Sequence, residues 1–262
     1  MTEFFKFHGT GNDFILLDGR KIPAIPSKET IAQLCHRRFG IGADGLIILS
    51  PEDGFDFRMI YFNADGSPAG MCGNGARCAV ACASMIGFSG NDAVFIAGDG
   101  PHTGKLKKDS ESEWIVEVSM RDVIIPSLVG KQTVIDTGTP HFVNIVPDVS
   151  EIDTFAEGRN IRYSATYAEE GINVDWLSIE DNRLRVRTYE RGVENETLSC
   201  GTGVTACAMV ASLATGRTFR EIETPGGRLN VSFRKDSDRF LDVRLKGPVK
   251  LVFKGEVDFQ SK

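Results

Sequence analysis

Two cysteines in this chain each open the pattern Cys-Gly-x-Gly. The first copy reads Met71-Cys72-Gly73-Asn74-Gly75-Ala76-Arg77-Cys78, and the second Ser199-Cys200-Gly201-Thr202-Gly203-Val204-Thr205-Ala206. Each leads into small and apolar residues, Cys78 to Phe88 and Ala206 to Ala214, which read as buried helices. A cysteine just before such a run stands at a helix N-terminus, where the dipole is expected to lower the thiol pKa. A pair of such thiols suits proton transfer at carbon. One thiolate removes a proton from one face while the other thiol delivers a proton to the opposite face. The unpaired backbone N–H groups of Gly73, Asn74, Gly201 and Thr202 offer a carboxylate site beside each sulfur. Fixed donors there also stabilise the charge that develops in a carbanionic transition state. The predicted chemistry is inversion at a carbon next to a carboxylate.

The elements that position these thiols recur in order. At an offset of 128 (200 − 72), Ala83-Ser84-Met85 falls on Ala211-Ser212-Leu213. Gly40 to Ile48 and Gly171 to Ile179 both read Gly-Ile-x-x-Asp-x-Leu-x-Ile. A strand pattern over Phe57–Phe62 ends in the turn beginning at Asn63, and Arg185–Tyr189 ends in Glu190-Arg191-Gly192. An ordered set of matches predicts two copies of one unit of about 120 residues. The expected fold is α+β with pseudo-two-fold symmetry, each half a β-sheet or barrel wrapped around a central apolar helix. The halves are expected at 1–125 and 126–251, with the last strand, about 252–262, a candidate to join the first half. Both helix N-termini would then face one shared cleft. Ser27 is expected to cap a helix burying Ile31, Leu34 and Cys35, and a second helix signal runs from Ser150 to Gly158 with Ile152, Phe155 and Ala156 inward. Closing strands are expected at 220–224, 229–233, 241–245 and 249–253.

Composition narrows the partners. The chain of 262 residues carries a formal net charge of −6, and its dense basic run is limited to Lys105-Leu106-Lys107-Lys108. That balance argues against nucleic acid and anionic membranes as partners. The first residues lack the apolar core of a signal peptide, and no apolar run approaches the ~18 residues that span a bilayer. The six cysteines are therefore expected to be reduced thiols of a cytoplasmic protein. Cys35, Cys78, Cys82 and Cys207 read as core packing. No Cys-x-x-Cys, zinc-ligand spacing or cofactor fingerprint is present, so the expected chemistry is cofactor-free.

Taken together, His8-Gly9-Thr10-Gly11-Asn12-Asp13-Phe14, Asn63-Ala64-Asp65-Gly66-Ser67, Met71 to Cys78, Glu190-Arg191-Gly192 and Ser199 to Gly203 resemble the diaminopimelate epimerase family. The resemblance covers essentially the whole chain. It implies a homodimeric isomerase that interconverts LL- and meso-2,6-diaminopimelate without pyridoxal phosphate, in lysine and peptidoglycan precursor synthesis. It implies Cys72 and Cys200 as the acid/base pair, with Gly73, Asn74, Gly201 and Thr202 at the reacting carboxylate. Asn12, Asn63, Asn173, Glu190 and Arg191 would be substrate ligands, and His141 and Glu190 would tune the thiols. A substrate with a distal ammonium and carboxylate needs both signs of charge, which Glu190 and Arg191 can supply. Two positions depart from the family pattern: Gly45, where some members carry Gln, and Thr139, where many carry Asn before Pro140-His141. Read without the resemblance, Glu190 and Arg191 also fit an exposed turn pair, His141 a structural histidine, and Asn12 and Asn63 ordinary turn residues. The rival functions are a proline or hydroxyproline racemase, whose first motif resembles Cys-Gly-His, and a thiol redox sensor or ligand-binding module.

Overall fold

The computed structural model describes residues 1–127, 129–218 and 221–258. Two compact units emerge, one formed by Met1–Val118 with the segment from Gly247 onward, the other by Ser119–Lys246. The expected strand over 220–224 is seen from Glu221, with Arg220 outside the described residues, as is the end of the expected last strand beyond Asp258. No helix among the described residues is long and apolar enough to cross a membrane.

The first unit contains β1 (Thr2–Gly9), β2 (Asn12–Asp18), α1 (Lys28–Cys35), β3 (Gly45–Glu52), β4 (Phe55–Asn63), β5 (Pro68–Ala69) and α2 (Gly73–Met85). It continues through β6 (Asp92–Ala97), β7 (Gly100–Lys108) and β8 (Glu113–Ser119). Pairing runs β1–β2 antiparallel, β2–β3 parallel, β3–β4 antiparallel, β4–β6 parallel, then β6–β7 and β7–β8 antiparallel. The Gly247–Val257 stretch of the last strand bonds β8 on one side and β1 on the other, and so closes an eight-stranded barrel. Helix α2 supplies its core. Cys78, Ala79, Val80, Ala81, Cys82 and Ala83 are all fully buried, which explains a helix apolar on every side. Small side chains are needed there. A Cβ on Gly104 of β7 would stand 2.5 Å from a Val80 methyl.

The second unit contains β9 (Val123–Ile124), β10 (Gln132–Asp136), β11 (Pro140–Ile145), α3 (Thr154–Arg162), β12 (Asn173–Glu180), β13 (Arg183–Glu190) and β14 (Asn195–Thr197). It ends with α4 (Gly201–Thr215), β15 (Glu221–Thr224), β16 (Gly227–Asp236) and β17 (Arg239–Val257), the strand that continues into the first unit. Its pairings repeat the same alternation. They run β10–β11 antiparallel, β11–β12 parallel, β12–β13 antiparallel, β13–β15 parallel, then β15–β16, β16–β17 and β17–β9 antiparallel. Even the short side strands correspond, β5 on β4 and β14 on β13. Helix α4 is buried from Val204 to Ala211 and ends at Gly216, whose φ of 69° is the left-handed cap that glycine adopts without penalty.

One expected helix face is corrected. The Ser150–Gly158 signal resolves into a short 3₁₀ turn, Val149–Glu151, followed by α3, which Asp153 caps through Ala156 N. Phe155 is 47 % exposed and Ala156 is exposed, whereas Thr154 and Gly158 face inward. The reason is steric. A Cβ on Gly158 would fall 2.5 Å from the Tyr189 ring, so the helix lays its glycine against that ring. Helix α1 matches its expectation, with Ser27 accepting from Thr30 N and Ile31, Leu34 and Cys35 buried.

Candidate active site

Cys72 and Cys200 are the N-cap residues of α2 and α4, each in extended backbone (φ −127°, ψ 119° and φ −110°, ψ 115°). Extended conformation at the cap turns the side chain back across the first turn. The Gly75 N–H accordingly points at Cys72 Sγ, 3.5 Å away. Gly203 of α4 packs against β12 and β13, and a Cβ there would meet Asp175 Oδ1 at 2.5 Å and Thr188 Oγ1 at 3.2 Å.

Around Cys72, in the first unit, the half-buried thiol donates to Asn12 Oδ1 at 3.7 Å. Asn74 Nδ2 donates to the same oxygen at 3.3 Å, and Asn12 Nδ2 donates to Asp44 Oδ2 at 2.7 Å. Asn12 is therefore held from both ends at the start of β2. Behind it lies a charged cluster. Asp13 pairs with Lys6 at 2.6 Å and with Arg37 at 2.8 Å, and Arg37 also pairs with Asp44 at 2.5 Å. Burial alone would raise the Asp13 carboxyl, but the hydrogen bonds from Arg37 and Lys6 overcome it and hold the group well below the usual carboxylate range. Asn63 stands at the exposed end of β4, where its Nδ2 donates to Ser67 Oγ at 3.2 Å. At Gly45 a Cβ would meet Phe62 O at 2.5 Å and the Tyr61 ring at 2.7 Å, so this position has no room for a larger side chain.

Around Cys200, in the second unit, the pattern differs. Fully buried His141 places Nδ1 2.7 Å from Asp175 Oδ2. A carboxylate only accepts, so Nδ1 carries the proton and Nε2 of the neutral ring is left to accept. Thr202 Oγ1 lies 3.0 Å from that Nε2 and 3.4 Å from Cys200 Sγ. The result is a line of groups, Cys200–Thr202–His141–Asp175, along which a proton can leave the sulfur. Thr139 Oγ1 joins it, 3.1 Å from His141 Nε2 and accepting from Asn173 Nδ2 at 3.1 Å. Buried Asn173 accepts from Arg191 N at 2.8 Å, fixing the turn after β13. The Arg191 side chain donates to Glu170 O at 2.8 Å, and Glu190 accepts from Thr197 Oγ1 at 2.9 Å.

The expectation that helix dipoles lower both thiols is corrected at Cys200. Burial pushes this thiol well above its ordinary value, and the Glu190 and Asp175 carboxylates push the same way. The other four cysteines are free and buried as expected, with burial raising Cys35 to about 12 and pushing Cys78, Cys82 and Cys207 well above the ordinary thiol value. Sequence reasoning missed Asp44, Asp175, Asp13, Lys6 and Arg77. A signal for the first two was present, since Asp44 and Asp175 are the aspartates of the repeated Gly-Ile-x-x-Asp motif.

The family model for diaminopimelate epimerase matches the chain twice, over residues 4–123 and 133–252. The chain belongs to the diaminopimelate epimerase family. It is 42% identical over 257 residues to a diaminopimelate epimerase of Flavobacterium psychrophilum, covering 96% of this chain and 98% of that one. With that of Methanocella arvoryzae it shares 40% over 276 residues, at 98% and 96% coverage. Among solved structures, a probable proline racemase from Agrobacterium radiobacter superposes with a TM-score of 0.75 at 13% identity, over 99% of this chain and 94% of that chain. A phenazine biosynthesis protein of the PhzF family from Bacillus anthracis gives 0.72 at 12%, over 98% and 99%. At such identities the likeness is one of fold. Both family-model matches fall on the duplicated pattern of strands and central helix described above.

Proposed function

We propose that this member of the diaminopimelate epimerase family interconverts LL- and meso-2,6-diaminopimelate through Cys72 and Cys200. The observation that carries the reading is the matched pair of cysteines at the N-cap positions of the two central helices. Inversion at the α-carbon needs a base on one face and an acid on the other. Two thiols supply both, and they exchange roles with the direction of reaction. The backbone N–H groups of Gly73, Asn74, Gly201 and Thr202 are the donors for the reacting carboxylate. Asn12, Asn63 and Asn173 hold the amino acid, while Glu190 and Arg191 answer its distal charges. His141, through Thr202, takes up the proton when Cys200 must become a thiolate, and Glu190 bears on the same sulfur by charge. The thiols are themselves the acid and base, so the proposed reaction draws on no cofactor. Family resemblance further supports a cytoplasmic homodimer, which light scattering of the purified chain would test.

Turnover of LL-diaminopimelate by Cys72→Ala and Cys200→Ala tests the assignment. Each variant should lose at least ~10²-fold in kcat, the usual scale for a general acid or base. Full turnover by both would refute it. A parallel assay of α-deuterium exchange into proline separates the racemase rival: exchange into proline but not diaminopimelate would move the substrate assignment.

A further inference from the structure

Arg77 is fully buried inside the first barrel, and among the described residues no carboxylate pairs with it. Its guanidinium donates to Asn74 Oδ1 at 2.9 Å, to Thr10 Oγ1 at 3.3 Å and to Gly73 O at 3.3 Å, while Nε has no partner. A buried cation with only neutral acceptors is costly, and replacement by a well-packed apolar residue would be the cheaper solution for stability alone. Its placement suggests what the cost maintains. Arg77 stands one helical turn below Gly73 and Asn74, under the mouth of α2 that Cys72 caps.

Two consequences follow from the donor-only chemistry of the guanidinium. First, Asn74 must present Oδ1 to Arg77, which turns its Nδ2 toward Asn12 Oδ1; Asn12 then presents Nδ2 to Asp44. The two amides are thus locked in one orientation between a cation and a carboxylate, and Cys72 Sγ rests on the shared Asn12 oxygen. Second, negative charge on Cys72 is favoured by the nearby cation, an attraction felt equally by the guanidinium. Burial lowers that guanidinium to about 10, which leaves it charged at neutral pH. Among the described residues, the second unit shows no such group beside its thiol. At the same offset (77 + 128) stands Thr205, which donates only to Gly201 O at 2.9 Å, and the charges around Cys200 are the carboxylates of Glu190 and Asp175.

We propose that Arg77 is a positioning residue that makes the two thiols inequivalent: its buried guanidinium orients Asn74 and Asn12 and supplies the positive charge against which Cys72 ionises. This rests on the two-thiol reading above, but its test needs no turnover. The rate of Cys72 alkylation by iodoacetamide is followed against pH in a Cys200→Ala background, with the modified peptide identified by mass. Arg77→Met and Arg77→Gln, each checked for native circular dichroism, should move the alkylation midpoint up by about one pH unit or more, and Arg77→Lys should restore most of it. In the Cys200-containing enzyme the same neutral variants should lose roughly tenfold or more in kcat. An unchanged midpoint in a folded neutral variant would overturn the proposal. So would a Lys variant displaced as far as the Gln variant, a comparison that holds even where Met is not tolerated. Loss of the two-cysteine assignment would instead show as full turnover in the alanine variants, with the alkylation result standing apart.

Discussion

At Cys200 the helix dipole and the burial of the sulfur pull in opposite directions, and burial wins. A helix N-terminus stabilises a negative charge by about 0.3–1 kcal/mol, and up to about 2 in the best geometry. Taking an ionisable group fully out of water costs several kcal/mol, and here two carboxylates add to that cost. Burial therefore favours the Cys200 thiol over its thiolate, and the groups that can take its proton matter most at this sulfur. Removing a negative charge should ease ionisation, so Glu190→Gln should shift the onset of Cys200 alkylation to lower pH; an onset moved to higher pH would contradict the assignment. Thr202→Val removes the hydroxyl between Cys200 and His141 while keeping the backbone N–H. It should lower kcat by about 10²-fold with little change in KM, and a change confined to KM would place Thr202 in binding alone.

Elements hold these residues through charges and close contacts that the turns themselves would not predict. The Lys6–Asp13–Arg37–Asp44 cluster fixes the start of β2, where Asn12 lies. Asp13→Asn leaves Lys6 buried without its counter-charge and should destabilise the first unit by about 3 kcal/mol in urea unfolding. Because the folded carboxyl titrates below its unfolded value, its stabilisation is present above about pH 4 and is lost as pH falls further. The wild type should accordingly lose more stability than Asp13→Asn on acidification; equal losses would dismiss the cluster. Gly203→Ala drives a methyl toward Asp175 and should cost about 1–3 kcal/mol, together with activity. Much at this scale was legible. The Cys-Gly-x-Gly runs gave the two central helices because small apolar residues on every face leave no amphipathic alternative. The inward face of α3 was not legible, since apolar Phe155 counts toward a helical stripe while the glycine that packs on Tyr189 does not. Nor was Arg77, because an arginine in a helix is exposed by default and only the barrel around it shows otherwise.

Across the whole molecule one architecture is used twice with different charge. The alternation of parallel and antiparallel pairings is the same in both units, and the family-model matches fall on both copies. The repeated motifs made this duplication readable, whereas the return of the final strand rests on long-range pairing. Gly247–Val257 supplies the partner that β1 and β8 share, with Phe4 packed edge-on to Phe253 at 5.9 Å. A chain ending at Lys246 should therefore lose the fold of its first unit, seen as rapid proteolysis of Met1–Val118; native resistance there would be the contrary result. The chemistry itself is tested most directly by one turnover of LL-diaminopimelate in deuterium oxide. A thiol carries a single proton, so a base that takes the substrate proton can return only that proton. The account predicts product carrying one solvent deuterium at the inverted carbon and recovered substrate carrying none. Deuterium appearing equally in both would mean that a single exchanging group serves both faces, and would contradict it.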